Sequence, residues 1–340
     1  MKAAIMISLL ATSIFANAKD YRVAALYWSM DIEGQVAMRK GVEQRAQQIT
    51  KTTEDKILIE PYVAGNGREG AKRQIEQFYS VLKDRTPVDL IIIQPTDNSA
   101  LIGPLQLANK LKIPVIAYDQ YILGGELTSF ITSNNYQAGK LNAQYIEKLY
   151  PNDYEIKLIL VEYPRVTSTI DRVEGFIDTF KKVHQNFKIL KSYSAVEPVG
   201  GKKVGEEILK DFPDKNSIDV IFTINDGGGL PIVEVLAKAK RNEIKVATID
   251  GDPRSIQNIR DKKLTVINSA QFCSQIGRES MQAGYDFLKN KTVSKRMLIP
   301  TFPVTTKTLG SYTGMEGELP KAIKLPWSKK RWQNQIKRFE

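Results

Sequence analysis

The chain has 340 residues, with 49 Lys and Arg against 38 Asp and Glu, one His, one Cys and 42% apolar residues, and its mean hydropathy is -0.29. That length and apolar content can bury a full core and point to two domains or one large one, because single cores stop growing near ~250 residues. One Cys (Cys273) and one His (His184, in the polar stretch KKVHQNF) exclude a disulfide framework, a Cys/His zinc site and, unless His184 is itself catalytic, every His-dependent triad.

The first segment in chain order decides the compartment. Residues 1–18, MKAAIMISLLATSIFANA, carry one Lys in front of an apolar core from Ala3 to Phe15 and end in the small-x-small pattern Ala16-Asn17-Ala18. This is the pattern of a signal peptide cleaved after Ala18. Its apolar stretch is shorter than the roughly 20 residues that a spanning helix needs, no Cys near the cut is available to carry a lipid, and no later segment is long and apolar enough to span. Export removes nucleic acid as the partner that a formal charge of +11 would suggest. The one concentration of charge is C-terminal: Lys321, Lys324, Lys329, Lys330, Arg331, Lys337 and Arg338, with Trp327 and Trp332 interleaved. It reads as a short helix packed on the body, or as a contact for an anionic membrane surface or a partner receptor.

From Tyr21 onward, short apolar runs alternate with amphipathic stretches. Strands are predicted at 21–28, 56–62, 90–94, 115–118, 157–161, 220–223, 245–249 and 265–269, and helices at 34–49, 69–82, 100–111, 137–150, 172–184, 205–210, 231–239 and 274–288. In the first helix Met38, Val42, Ala46 and Ile49 form one buried stripe. The alternation implies parallel sheets with crossover helices, and the continuous apolar runs imply helices on both faces. It occurs in two rounds, one to about Tyr118 and one from after Ser133 to about Ile249, which gives an α/β fold of two doubly wound parallel-sheet domains.

In such sheets ligands bind beyond the carboxyl ends of the strands. The residues standing there are Ser29 and Asp31, Gln94 to Asp97, Asp119-Gln120, Glu162-Tyr163, Asn225-Asp226, Asp250 to Asp252, and Gln271. They are amides and carboxylates with no nucleophile and base pair among them. Such a set can bond several hydroxyls at once, which suits polyol or sugar binding without turnover. No cofactor or metal is called for.

IIIQPTD (91–97), IPVIAYD (113–119), SNN (133–135), DRVEGF (171–176), VIFTIND (220–226), KVATIDGDP (245–253) and AQFCSQIG (270–277), in this order and spacing, resemble the ribose/galactose class of type I periplasmic binding proteins over roughly 21–300. The resemblance implies two lobes joined by three chain crossings, near Ser133, Gln271 and Pro303. The first lobe is then 19–133 plus 272–303 and the second 134–271, with a C-terminal extension at 304–340 packed back across one lobe. It also implies a periplasmic location. Asp119 matches the family's ligand-binding Asp, Asn225 its cleft Asn, Asp250 the Asp before Gly and Gln271 the Gln at the return crossing. Asp31 lies at the family's Asn-rich turn, where it either joins the ligand set or caps the first helix.

Departures from the family bear on the ligand. Gly34 and Gln35 stand where the family places two ring-stacking aromatics, and the second lobe's aromatic is replaced near Glu197. A ligand-binding Arg falls on Ile170, which leaves Arg172 as a structural residue and the site without a matched cation. Tyr27, Trp28, Tyr121, Tyr163 and Tyr193 are the candidate replacement ring faces. Two buried carboxylates without a cation favour a neutral polyol or an amine over a phosphate. The G-x-G-x-x-G at Gly65 to Gly70 matches the dinucleotide fingerprint, but it sits in the second βα unit of an exported chain and reads as a surface loop. Two functions follow: delivery of a sugar-like ligand to an inner-membrane ABC permease, or a receptor of the same fold reporting to a sensor histidine kinase.

Overall fold

The computed structural model describes residues 18–340, so all of the leader but Ala18 lies outside the described residues. The chain opens with β1 (Asp20–Tyr27), α1 (Glu33–Thr52), β2 (Lys56–Val63), α2 (Gly67–Leu82), β3 (Leu90–Ile93), α3 (Ile102–Lys110), β4 (Val115–Tyr118) and β5 (Ser129–Ser133). A second series follows: α4 (Asn135–Ile146), β6 (Ile156–Glu162), α5 (Thr167–Lys182), β7 (Phe187–Ser194), α6 (Pro198–Asp211), β8 (Val220–Thr223), α7 (Asp226–Lys238), β9 (Lys245–Asp250), α8 (Pro253–Arg260) and β10 (Thr265–Ala270). Then come α9 (Cys273–Leu288), β11 (Arg296–Ile299), β12 (Phe302–Val304), β13 (Ile323–Lys324), β14 (Arg331–Trp332) and β15 (Lys337–Phe339).

Two main sheets result, ordered β2-β1-β3-β4-β5-β11-β15 and β7-β6-β8-β9-β10-β12. Within each the strands are parallel, except that β15 joins β11 and β12 joins β10 in antiparallel fashion. This is the doubly wound α/β pair expected from the sequence. Each sheet is buried on both faces. Along β1, Val23, Ala25 and Tyr27 join the core beneath α1 and α9, while Ala24 and Leu26 join the core beneath α2 and α3. In β6, Leu158 and Leu160 face one core and Ile159 and Val161 the other.

The sequence reading does not mark β5 and β7, for two different reasons. β5 carries Ser129, Thr132 and Ser133 in fully buried positions, so polarity hides a central strand. β7 is an outer strand whose exposed face includes Lys188 and Lys191, the kind of charge that discourages pairing with a further chain. α5, α6 and α7 begin five to seven residues ahead of the apolar stripes used to predict them. In α6 the Glu197 carboxylate accepts from the Val199 and Gly200 N–H groups and Pro198 opens the helix; in α7 the Asn225 side chain accepts from Gly228 N. Caps and glycines begin α6 and α7, and α5 opens on Thr167-Ser168-Thr169, so apolar periodicity cannot see their first turns.

Three segments pass between the sheets: β5 into α4 at Ser133 to Asn135, β10 into α9 at Ala270 to Cys273, and β11 into β12 between Ile299 and Phe302. Pairing of Ala270, Ser269 and Asn268 with Phe302, Pro303 and Val304 places Pro303 within the second sheet rather than at the turn before it.

The tail does not rest on a single lobe, and its only helical element is one 3-10 turn at Leu309–Ser311. Glu316 pairs with Lys40 of α1 at 2.7 Å, and the Ser274 N–H of α9 donates to Met315 O at 3.0 Å. On the other side Trp327 meets the edge of Tyr145 of α4, ring centres 5.0 Å apart. Trp332 is buried against Phe272 and Phe302 and its indole N–H donates to Thr301 O at 2.6 Å, which places it on the crossing segments. β15 then closes the tail onto the first sheet.

Candidate functional site

The carboxyl ends of the two sheets face each other across a cavity of about 270 Å³, near the lower end of the ~300–1,000 Å³ usual for small-molecule sites. Its first wall includes Trp28, Gln35, Asn66, Asp119 and Gln120; its second includes Tyr163, Ser168, Arg172, Glu197, Asn225 and Asp250; Gln271 stands at the crossing. The walls touch: Ser168 Oγ donates to Gln120 Oε1 at 2.8 Å, both residues buried. The lobes are therefore closed around the cavity.

Both cleft carboxylates sit at strand ends in the left-handed backbone region, Asp119 with φ of 62° and Asp250 with φ of 117°. Such conformations cost ~1–3 kcal/mol for a residue with a Cβ and persist where the surroundings enforce them. For Asp119 the enforcement is its N–H to Ile131 O at 2.9 Å and its carbonyl, which accepts from Thr132 Oγ1 at 2.9 Å. Its Oδ2 accepts from Gln94 Nε2 at 2.9 Å. Burial raises its carboxyl above the usual range, with Gln94 and then Arg172 pulling down.

Asp250 Oδ1 accepts from Gln271 Nε2 at 2.7 Å and from Arg172 Nη1 at 3.2 Å. Burial pushes its carboxyl up to about 6 against Arg172 and Gln271. Behind it, Asp226 takes Thr248 Oγ1 and Asn268 Nδ2 as side-chain donors and the Gly251 and Asp252 N–H groups at 3.0 and 2.8 Å. Burial and then the charge of Asp250 push Asp226 up to about 8, opposed by these donors. Asp226 thereby ties the turn after β9 to the start of α7 and sets the direction of Asp250.

Of the five residues singled out from the sequence, Asp119, Asn225, Asp250 and Gln271 line this one cavity. Asn225 spends its amide locally, accepting from Gly228 N and donating to Val196 O at 2.8 Å. Asp31 is exposed and outside the wall, but its carboxylate accepts from Asn66 Nδ2 at 2.6 Å, and Asn66 is in the wall. It does not cap α1, whose N-terminus starts at Ile32 without a side-chain bond.

The reading of a site without a cation is corrected. Arg172, only 4% exposed, lies in the wall and donates to Asn135 Oδ1, Ile224 O and Asp250, whereas Ile170 points outward and is 38% exposed. It gets there because α4 and α5 touch backbone to backbone: a Cβ on Gly139 would fall 1.9 Å from Arg172 O, and one on Gly175 2.1 Å from Tyr136 O. Of the candidate ring faces only Trp28 and Tyr163 reach the cavity. Gly67 of the glycine motif is in the wall too, next to Asn66, so that loop closes the mouth. Among the described residues no group of His, Cys, Asp and Glu has the spacing to hold a metal ion.

A family model described as a periplasmic binding protein domain matches residues 23–292. The chain is 26% identical over 286 residues to the ribose import binding protein of Bacillus subtilis (strain 168), covering 84% of this chain and 87% of that one. It is 28% identical over 232 residues to the fructose import binding protein of Bifidobacterium longum (strain NCC 2705), covering 66% and 68%. Among solved structures, the myo-inositol binding protein of Caulobacter bound to myo-inositol superposes with a TM-score of 0.74 at 22% identity, over 85% of this chain and 94% of that one.

Proposed function

The chain belongs to the periplasmic binding protein family, and from that premise we propose that it is an exported solute receptor that closes on a small sugar or polyol and presents it to an inner-membrane ABC permease. The observation that carries this is the pair of buried carboxylates, Asp119 from one lobe and Asp250 from the other, lining one cavity between the lobes. Hydroxyls can donate to both at once only when the lobes are closed, so the ligand selects the closed state. Gln271, whose Oε1 has no partner among the described residues, adds an acceptor at the crossing, while Asn225 shapes the second wall through its bonds to Gly228 and Val196 and Asp31 acts through Asn66. The ligand leaves as it entered, since none of these groups is an activated nucleophile.

A neutral ligand fits the charges. Arg172 is engaged by Asp250, so Asp119 faces the cavity without an ion-pair partner, and a phosphate would add repulsion there. The import names of the relatives favour uptake over signalling to a histidine kinase. The test is a thermal-shift and calorimetric screen of the purified protein against D-ribose, D-fructose, myo-inositol, amines and sugar phosphates. Binding of a neutral member that is lost in Asp119→Ala and Asp250→Ala is the expected result. Strong stabilisation by a sugar phosphate that survives both substitutions would overturn ligand class and site together.

A further inference from the structure

Gln35 is the third residue of α1 and 6% exposed, and its side chain is part of the cavity wall. Its backbone N–H bonds Ile32 O at 2.9 Å, but no described residue donates to its buried side-chain Oε1. A buried carboxamide oxygen without a donor costs stability. Its neighbour Gly34 is backed by Met315 and by Cys273, whose side chains would lie 3.1 and 3.2 Å from a Cβ there. The start of α1 is thus packed closely beside Gln35, which presents an amide at a position where the family resemblance implies a ring-stacking aromatic.

We propose that Gln35 is a specificity-determining residue whose carboxamide hydrogen-bonds a ligand hydroxyl, so that the site selects a ligand hydroxylated on the edge facing α1 over one offering an apolar ring face. The inference rests on the sugar or polyol reading above and adds to it which part of the ligand must be polar. An amide can both accept from and donate to a hydroxyl. A site built to bond a hydroxyl rejects an analogue lacking it, because the buried amide is then left unpaired.

The test uses D-ribose, D-fructose and myo-inositol, with monodeoxy derivatives of whichever binds, titrated calorimetrically into wild type, Gln35→Met and Gln35→Leu. Gln35→Met is expected to weaken binding about tenfold or more. One deoxy derivative should lose a similar factor against wild type and lose nothing further against Gln35→Met, which is the coupling expected of two groups in contact. The ligand-free Gln35→Met protein should melt no lower than wild type, because an unpaired amide has been replaced by an apolar side chain of similar shape; a residue kept for structure alone would lower it. Equal affinities of wild type and both variants for the binding sugar would overturn the role of Gln35 and leave the sugar reading standing. Failure of all three compounds and their derivatives to bind wild type would overturn the sugar reading and this inference with it.

Discussion

Replacing Arg172 by Met removes the one guanidinium among the described cavity residues while keeping an unbranched side chain of similar reach. Three acceptors lose their donor: Asp250 Oδ1, Asn135 Oδ1 and Ile224 O. Breaking a buried ion pair by deleting one partner costs ~3–5 kcal/mol, and an unsatisfied buried acceptor ~1–3 kcal/mol. These do not add simply, because a protonated Asp250 escapes the larger penalty. Its carboxyl already titrates near 6 in the folded protein against an ordinary 3.8. The folded state therefore holds this proton more tightly than the unfolded state does, and stability present below pH 4 is lost as pH rises through 6. Without Arg172 the carboxyl climbs further, and the loss continues to higher pH. Unfolding by guanidinium, followed by tryptophan fluorescence at pH 5, 6.5 and 8, should show a deficit relative to wild type of ~1–3 kcal/mol at pH 5, widening to ~3–5 kcal/mol at pH 8. Taking the difference between the two proteins cancels other titrations. A deficit that is constant with pH, or larger at pH 5, would refute the pairing of Arg172 with Asp250 as the source of the loss.

Trp332→Ala should cost ~3–5 kcal/mol by opening a cavity at the crossing segments, read as a lowered melting temperature; a change within error would mean the tail contributes nothing to the body. Gly277→Ala puts a Cβ 2.0 Å from Met38 O, so α1 and α9 must separate; calorimetry should show clear destabilisation, and a wild-type transition would contradict the backbone contact. Ser168→Ala removes the bond to Gln120 that crosses the cleft, worth ~0.5–1.5 kcal/mol. Small-angle scattering of the ligand-free variant should give a larger radius of gyration than wild type, with both compacting to the same value under a saturating sugar; equal dimensions with and without sugar would count against closure.

The fold was legible because its signal is local and repeated. Apolar runs such as 90–93 and 220–223 are strands buried on both faces, and the stripe of Met38, Val42, Ala46 and Ile49 is one helix face. Elements whose polarity serves another purpose were not legible. β5 is polar because it leads into the cleft crossing, β7 because it is an edge, and the opening turns of α6 and α7 because their caps, Glu197 and Asn225, stand in the cavity wall. The basic tail concealed its role in the same way: its lysines are exposed, whereas Trp332 is 2% exposed and holds the crossings.

In the site, the carboxylates could be found because strand ends mark where ligands bind, a rule of topology that needs only the order of elements. Arg172 could not, since it owes its place to contacts made through the fold, and Gln35 was marked only by its place in the family resemblance, as a missing aromatic rather than as a polar contact. Arg172 enters the cleft because two glycines let α4 and α5 meet, and neither glycine is next to it in sequence. Gln35 enters on the buried side of an amphipathic helix, where a polar residue reads as a flaw in the stripe. That flaw carries information. A helix face otherwise given to Met38, Val42 and Ala46 tolerates a buried amide only where something other than the helix's own stability depends on it, and in this molecule the place where it occurs is the wall of the cavity.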